Sequence, residues 1–515
     1  MVVAIYLLSF PWHPLLRSPN ELCRLMQTRA LVDFGELSLN RAIRLYGPVG
    51  DLSIFEGRLY PSKAPLMSFA AVPVYAVLRA LVGGRPGSVP EIPLVFFSRL
   101  FLTVLPTLLS LVLLHRLLAT YVEEALAVAV TLTYALGTLA FSYSLLFMSH
   151  QTTATLLLAG FYVSWRVARG ERSSRWLVLC GACLGLAVVA EYTSALPALA
   201  IGLYAAGSKG EPFPRRLRAL ALLVVGGLPM VGFLASYHQS CFGGVLETGY
   251  RHLADVQYQP WHAGGFLGIK TPTLTAFAGS FFSPLRGLLP LSPALLLGFA
   301  GLGRLWARRR EHPELGAVAV FTGLLTAAYV YFTSSFSYAS WGWTTGPRHL
   351  TGLIPFLMLP LALDVAAANT GIRRGVATGL MLSSVVVTSA LTFVNYIPDD
   401  VSNGLFGLFV PLARAGNVVP SVLGFFGLAN PLAGSLSIAL ALVAAGFVLT
   451  PALSAPRLPA LAVVGATLTL VLAFHRLSTR NDEYDRAARA LLERVWLAPS
   501  GESIVFWSSS GHPRR

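Results

Sequence analysis

Charge is what this sequence has least of. Only 12% of its 515 residues are Asp, Glu, Lys or Arg, about half the 25% or so of a soluble globular protein. That is too little to clothe a water-facing surface of this size. Acidic groups are the scarcer sign, 23 against 38 Lys and Arg, for a formal net charge of +15. Cysteine is scarce as well, and four in a chain this long exclude a disulfide scaffold. Cys180 and Cys183 form a CxxC inside an apolar run with no βαβ pattern beside it, so they read as packing residues. Cys23 and Cys241 fall in segments expected outside the membrane, where oxidation is chemically open. No Walker A loop, HExxH, GxSxG or zinc-spaced cysteine set occurs in the context each needs, so soluble nucleotide chemistry has no support. Fixed-period repeats and low-complexity tracts are also missing, and Met1–Trp12 lacks the basic start of a cleavable signal peptide.

What the sequence has in abundance is apolar length. Hydrophobic residues make up 55% of it, with a mean hydropathy of +0.65. Runs of about 17 to 25 apolar residues suffice to cross a hydrocarbon core of roughly 30 Å as helices, the form that satisfies its own backbone in lipid. The expected fold class is an all-α polytopic membrane protein. Thirteen spans are expected, near 1–14, 92–114, 125–147, 152–168, 176–190, 194–207, 217–236, 287–303, 315–333, 350–368, 375–396, 433–452 and 458–475. The first is short, about 21 Å as a helix, so either that helix is short or the start lies upstream.

The basic residues sort onto one side of these spans. Clusters such as Arg166, Arg169, Arg172 and Arg175, or Arg304, Arg308, Arg309 and Arg310, alternate after residue 148 with longer outer connections that hold only Arg251, Lys270, Arg286, Arg348 and Arg414. The positive clusters therefore mark the cytoplasmic side and do not announce a nucleic-acid partner. This topology requires the apolar stretch 64–83, with Pro65, Pro73 and Arg79, to lie along the interface rather than cross. The domain plan is a transmembrane unit over 1–475, with external loops at 15–91 and 237–286, and an external tail at 476–515. In the tail an amphipathic helix is expected over 482–496, capped by Asn481, with Ala487, Leu491, Leu492 and Val495 on its apolar face.

The chemistry-bearing residues gather at the outer connections. The first loop opens Ser18-Pro19-Asn20-Glu21-Leu22-Cys23-Arg24 and later carries Asp51 and Glu56-Gly57-Arg58-Leu59-Tyr60-Pro61-Ser62-Lys63-Ala64-Pro65. His150 starts one span, Glu191-Tyr192 occupies an outer turn, Arg286 precedes another span, and Gly346-Pro347-Arg348-His349 follows the Trp341 and Trp343 pair. Each has a bland reading too. Glu21 suits a helix N-terminus, Arg286 can snorkel, and the tryptophans suit an interfacial aromatic belt.

A carboxylate just after the first span, an interfacial helix and a Lys-x-Pro before a second helix resemble the GT-C superfamily of membrane glycosyltransferases. The likeness is to the branch of protein O-mannosyltransferases and lipid A aminoarabinose transferases, glycosyltransferase family 39-like. Here Asn20-Glu21 stands where that branch has Asp-Glu, and Arg24 comes one residue later than usual.

The resemblance implies a polyprenyl-phosphate-linked sugar donor, a lipid, glycan or protein acceptor, and an outward-facing site in a multi-pass inner membrane protein. It implies Glu21, or less readily another carboxylate of the first loop, as the base of an inverting transfer. It matches Asn20, Arg24, Lys63 and His150 to donor or acceptor contacts, and Glu191, Arg286, Arg348 and His349 are expected to join them from their places at outer turns and membrane boundaries. A monophosphate leaving group held by fixed cations needs no metal, so no metal and no cofactor are expected. The rival readings are a transporter or flippase of lipid-linked sugars, which would line a mid-span path with polar groups, and a non-catalytic membrane protein of the same fold.

Overall fold

The structure, a computed structural model, describes residues 1–9, 18–207, 212–265, 268–336, 345–394, 397–398, 401–417, 430–453 and 457–497. The chain is an all-α polytopic membrane protein whose only named strands among the described residues form one short hairpin. Among the described residues, five helices are individually long and apolar enough to cross a bilayer: Glu91–Leu118, Phe213–Phe242, Glu314–Ser335, Gly371–Val394 and Leu458–Leu477. Shorter apolar helices, among them Glu124–Gly137 and Ile354–Ala366, accompany them.

Helix Phe213–Phe242 shows why lipid is the solvent. It leaves Leu217, Val224, Val225, Leu228 and Val231 exposed, a continuous apolar face that only hydrocarbon would cover. Its other face meets helix Leu177–Ala190 so closely that a Cβ on Gly226 would lie 1.9 Å from the Val178 carbonyl oxygen, and one on Gly181 2.0 Å from that of Leu223. Lipid supplies no hydrophobic drive between helices, so close backbone approach through small residues is what binds such a pair.

Several expected spans are interrupted for local reasons. The run expected over 287–303 is divided into Leu288–Leu291, Leu295–Ala300 and Leu302–Ala307, because Pro290 and Pro293 remove backbone donors. The run expected over 125–147 stops at Gly137, and Thr138 restarts it by accepting from the Ala140 amide as the cap of Leu139–Ser144. Helix Glu91–Leu118 keeps its length but widens to a π turn over Leu100–Val104, directly after Arg99. At the N-terminus the described helix is Val2–Leu8, and the rest of that expected span lies outside the described residues.

The first loop folds into a body on the ends of the spans. Helix Pro19–Phe34 starts with Pro19 at its first turn and ends on Gly35 in the left-handed region. The 64–83 stretch forms Leu66–Ala70 and Val72–Leu81, 16 residues or about 24 Å in all, short of a crossing and suited to the interface. Asp33 ties the two layers, accepting from Tyr46 and Tyr75 and pairing with Arg79. The hairpin β1 (Leu52–Phe55) and β2 (Arg58–Pro61) turns on Glu56 and Gly57, both at positive φ, which fits the right-handed twist of the strands.

The second external loop joins the same body. Ile54 N donates to His252 O at 2.7 Å and Ala254 N to Leu52 O at 2.9 Å. Gly249 is needed there, since a Cβ would come within 2.9 Å of both Ser53 Oγ and Ser62 Cα. The tail helix Glu483–Leu497 also docks, burying Ala488, Leu491 and Leu492. Its apolar face is set by Ala488, with Ala487 exposed, and its cap is Asp482, which accepts from the Asp485 amide. Asn481 instead sits at φ 53° and donates its amide to Asp485. Val495's side chain lies outside the described residues.

Candidate functional site

Five separate stretches converge where the first loop meets the ends of the spans. Arg24, on helix Pro19–Phe34, is 3% exposed and reaches three oxygens: Asn20 Oδ1 at 3.0 Å, Ala64 O at 3.4 Å and Ser149 Oγ at 3.3 Å. It thereby links the segment carrying Lys63 to the start of the helix carrying His150. Every described hydrogen-bond partner of this buried guanidinium is neutral.

Lys63 pairs with Asp51 at 3.3 Å and lies over the Tyr250 ring at 5.3 Å. Burial works to lower its ammonium pKa, but Asp51 and Tyr250 outweigh it and hold the pKa above the ordinary value. Asp51 sits at φ 57° and keeps 25% of its side-chain surface open.

On the opposite side is a carboxylate between two imidazoles. Glu191 caps helix Leu177–Ala190 in extended backbone, and the next helix, Ala195–Gly207, departs after a single 3-10 turn. Its Oε2 lies 2.9 Å from His150 Nδ1 and its Oε1 3.2 Å from His349 Nδ1, with Thr193 Oγ1 donating to Oε1 at 3.1 Å. Burial works to raise the Glu191 carboxyl, and the histidine partners overcome it, holding the pKa well below the usual carboxylate range. Burial also pushes the His349 pKa down to about 4, against the pull of Glu191 and with help from Arg348. The stable arrangement is an ionised carboxylate accepting from neutral imidazole.

Arg348 begins the short 3-10 turn Arg348–Gly352 that carries His349, and its charge is felt at Lys63 as well as at the imidazoles. Its loop is anchored where Tyr143 donates to the Thr345 carbonyl at 2.9 Å.

Aromatic contacts complete the circuit. Tyr192 meets Tyr250 at 6.2 Å, Tyr250 stacks on His262 at 4.7 Å, and His262 meets Phe336, which meets His349, at 5.9 Å in each case. His349 and His150 then face each other at 5.4 Å. Such a collar offers flat apolar faces beside cations and carboxylates, as a sugar phosphate requires.

Glu21 has a different setting. It is 0% exposed and held by Arg99, itself 3% exposed, through Nε–Oε1 at 2.9 Å, Nη2–Oε1 at 2.8 Å and Nη2–Oε2 at 3.0 Å, and it also accepts from the Phe147 amide. A carboxylate so enclosed cannot take a proton from an acceptor without breaking a buried bidentate pair. The pair joins the first loop to helix Glu91–Leu118.

Asn20 orients Arg24. Arg286 is 5% exposed, in a segment tied to the tail side of the molecule, where the Asn403 amide donates to Pro284 O and His475 contacts Pro290 O. Trp341 and Trp343 lie outside the described residues. The four cysteines are free thiols, Cys23 and Cys241 both buried.

Sequence reasoning gave no role to Arg99 and saw Asp51 only as one of the first-loop carboxylates. Arg99 stands eight residues into an apolar run, and an intramembrane cation is itself a signal that a partner exists. Asp51 offered no motif, and only the fold brings it to Lys63. Asp364, a second charge within an apolar run, is paired with Arg304.

No protein-family model matches the chain, and no curated protein matches it. Among solved structures it is similar to ArnT from Cupriavidus metallidurans in the apo state, with 15% identity and a TM-score of 0.48 over 96% of this chain and 75% of that one. It is also similar to the same protein bound to undecaprenyl phosphate, with 14% identity and a TM-score of 0.46 over 91% of this chain and 76% of that one.

Proposed function

We propose that this chain is a GT-C-type membrane glycosyltransferase that moves a sugar from a polyprenyl-phosphate donor to a lipid, glycan or protein acceptor at the outer face of the inner membrane. The observation that carries the reading is the convergence of Arg24, Lys63 and Arg348, from three separate stretches, on a site that also holds Asp51 and Glu191. Excess positive charge in a partly desolvated site suits the phosphate of a lipid-linked donor. The aromatic collar of Tyr192, Tyr250 and His262 suits the sugar ring.

In the proposed reaction an acceptor hydroxyl gives its proton to Asp51 as its oxygen bonds to the anomeric carbon. The bond from that carbon to the phosphate oxygen breaks, its electron pair stays on the phosphate, and configuration inverts. Asp51 replaces Glu21 as base because it is open and adjoins the cation that would hold the leaving group. Lys63, Arg348 and Arg24 stabilise the charge that develops on the departing polyprenyl phosphate. Preorganised charges of this kind contribute about 3–4 kcal/mol each when removed singly.

Incubation of the reconstituted protein with radiolabelled polyprenyl-phosphate sugars tests this. Lys63→Met and Arg348→Ala are expected to lower kcat/KM by about 10²-fold or more. Undiminished transfer by both variants would remove the cation cluster from the mechanism.

A further inference from the structure

The Glu191 knot has the composition and spacing of a metal centre. Its three candidate ligand atoms, His150 Nδ1, a Glu191 carboxylate oxygen and His349 Nδ1, all lie within 4.8 Å of one another. They come from three elements: the first turn of helix Ser149–Ala168, the break after helix Leu177–Ala190, and the turn Arg348–Gly352. Ligands gathered from distant parts of the chain are held by the fold and do not depend on one flexible segment. We propose that His150, Glu191 and His349 bind one divalent ion of the zinc type, leaving a fourth position that takes an anionic oxygen such as that of a phosphate monoester.

Two imidazole nitrogens and one carboxylate oxygen are the donor set of an open, three-ligand zinc site, with bonds of about 2.0–2.2 Å. Ligand atoms of a tetrahedral site then lie about 3.3 Å apart, from those same bond lengths. The two nitrogens already stand 2.9 and 3.2 Å from the carboxylate, so an ion enters with side-chain shifts of a few tenths of an ångström as each imidazole, still neutral, moves its proton from Nδ1 to Nε2. Thr193 Oγ1, donating to Oε1 at 3.1 Å, supplies the outer hydrogen bond that commonly fixes a ligating carboxylate.

The neighbouring charges decide what completes the site. Arg348 and Arg24 both act on His150, and Arg348 on His349 as well. Two nearby cations oppose a dication held by a single carboxylate. A dianionic monoester oxygen in the fourth position reverses that balance, because it neutralises the ion and pairs with the same arginines. Metal and phosphate monoester must then raise each other's affinity by an equal factor, since coupling between sites is reciprocal. Metal binding itself stands on the ligand geometry alone. Its coupling to a lipid phosphate rests on the glycosyltransferase reading.

The test uses the full chain in detergent, stripped with chelator and titrated with Co²⁺, whose visible absorption intensifies in four- or five-coordinate N/O sites. Wild type is expected to bind about one ion per chain, with Glu191→Gln and His349→Gln each weakening binding by more than tenfold while keeping the elution profile of the folded protein. His115→Ala, a histidine paired with Glu124 at another site, is expected to bind as wild type. Adding a phosphate monoester of short-chain polyprenol should shift the cobalt spectrum and tighten the metal about tenfold.

No cobalt uptake by wild type, or equal uptake by wild type and Glu191→Gln, overturns the metal site. Uptake that is stoichiometric yet indifferent to the monoester overturns the fourth-position assignment. Neither result depends on turnover, so each is separable from a failure of sugar transfer.

Discussion

Glu21 and Asp51 belong to one loop and differ in everything that sets a carboxylate's task. Glu21 is held by Arg99 and a backbone amide in a fully buried setting, whereas Asp51 faces Lys63 with part of its surface open. Removing one partner of the buried pair strands the other, which costs about 3–5 kcal/mol. Glu21→Ala and Arg99→Ala are therefore expected to lose most folded protein in detergent thermal-stability assays, and the double replacement Glu21→Gln/Arg99→Met is expected to recover much of it. Asp51→Asn, in a pair that is partly open, should cost clearly less thermal stability than Glu21→Ala while lowering kcat by about 10²–10⁴. Stability losses of equal size for Asp51→Asn and Glu21→Ala would contradict this division of roles.

Sequence alone brought Asn20, Glu21, Arg24, Lys63, His150, Glu191, Arg348 and His349 into view because charged groups at the ends of apolar runs are conspicuous. It did not sort them. Which carboxylate is locked and which is open depends on Arg99 being 78 positions away in the chain yet in contact, a fact that no periodicity carries.

His262 makes a pH-dependent contribution of its own. It stacks on Tyr250 and faces Lys63 and Asp51, and burial, reinforced by Lys63 against the opposing Asp51, lowers its pKa from 6.5 to about 4. As pH falls below 6.5 an opened loop takes up a proton that the closed loop refuses until about pH 4. The closed loop thus loses stability across that window, by about 1–3 kcal/mol in total. Hydrogen exchange over residues 249–262, corrected for intrinsic rates, should show protection declining between pH 6.5 and 4 in wild type but staying flat in His262→Phe. A decline of the same size in His262→Phe would contradict the assignment.

Elements were legible where composition is monotonous and obscure where it is not. Helices such as Glu314–Ser335 and Gly371–Val394 match uninterrupted apolar runs. The interruptions at Thr138 and Pro293 depend on single residues that a hydropathy window averages away. Close helix pairing was invisible as well, since Gly181 and Gly226 count as merely apolar until their helices meet. Gly226→Leu should prevent that meeting and be recovered as aggregate, whereas Gly232→Ala, facing open space on the same helix, should behave as wild type in size-exclusion chromatography. At the tail, Asp485 is 0% exposed and accepts from Ser402 N, Ser402 Oγ and Asn481 N. Asp485→Ala leaves those donors unpaired, a loss of about 1–3 kcal/mol, and limited proteolysis should then cleave the tail helix in preference to the spans.

At the scale of the whole molecule, the three regions without long apolar runs serve two bodies. Residues 18–90 and 249–262 share hydrogen bonds and the candidate site, while the tail helix docks beside Ser402 and Leu405. The described charges Arg99 and Asp364 inside spans are paired with Glu21 and Arg304, and Arg24, Lys63 and Arg348 gather with Asp51 and Glu191 at one end. That asymmetry supports transfer at a membrane surface over transport through the bilayer. The topology proposed from the positive clusters places that end outside, so a cysteine introduced at Glu56 in an otherwise cysteine-free chain should react with an impermeant maleimide added to intact cells.

The most direct measurement is transfer from a labelled polyprenyl-phosphate sugar in proteoliposomes of known orientation, with acceptor supplied on one side, comparing wild type with Asp51→Asn. The mechanism predicts labelled product with inverted anomeric configuration from wild type, only when acceptor is on the extracytoplasmic side, and a loss of about 10²-fold or more in the variant. Transfer that is undiminished by Asp51→Asn, or that proceeds with acceptor on the cytoplasmic side alone, would contradict it.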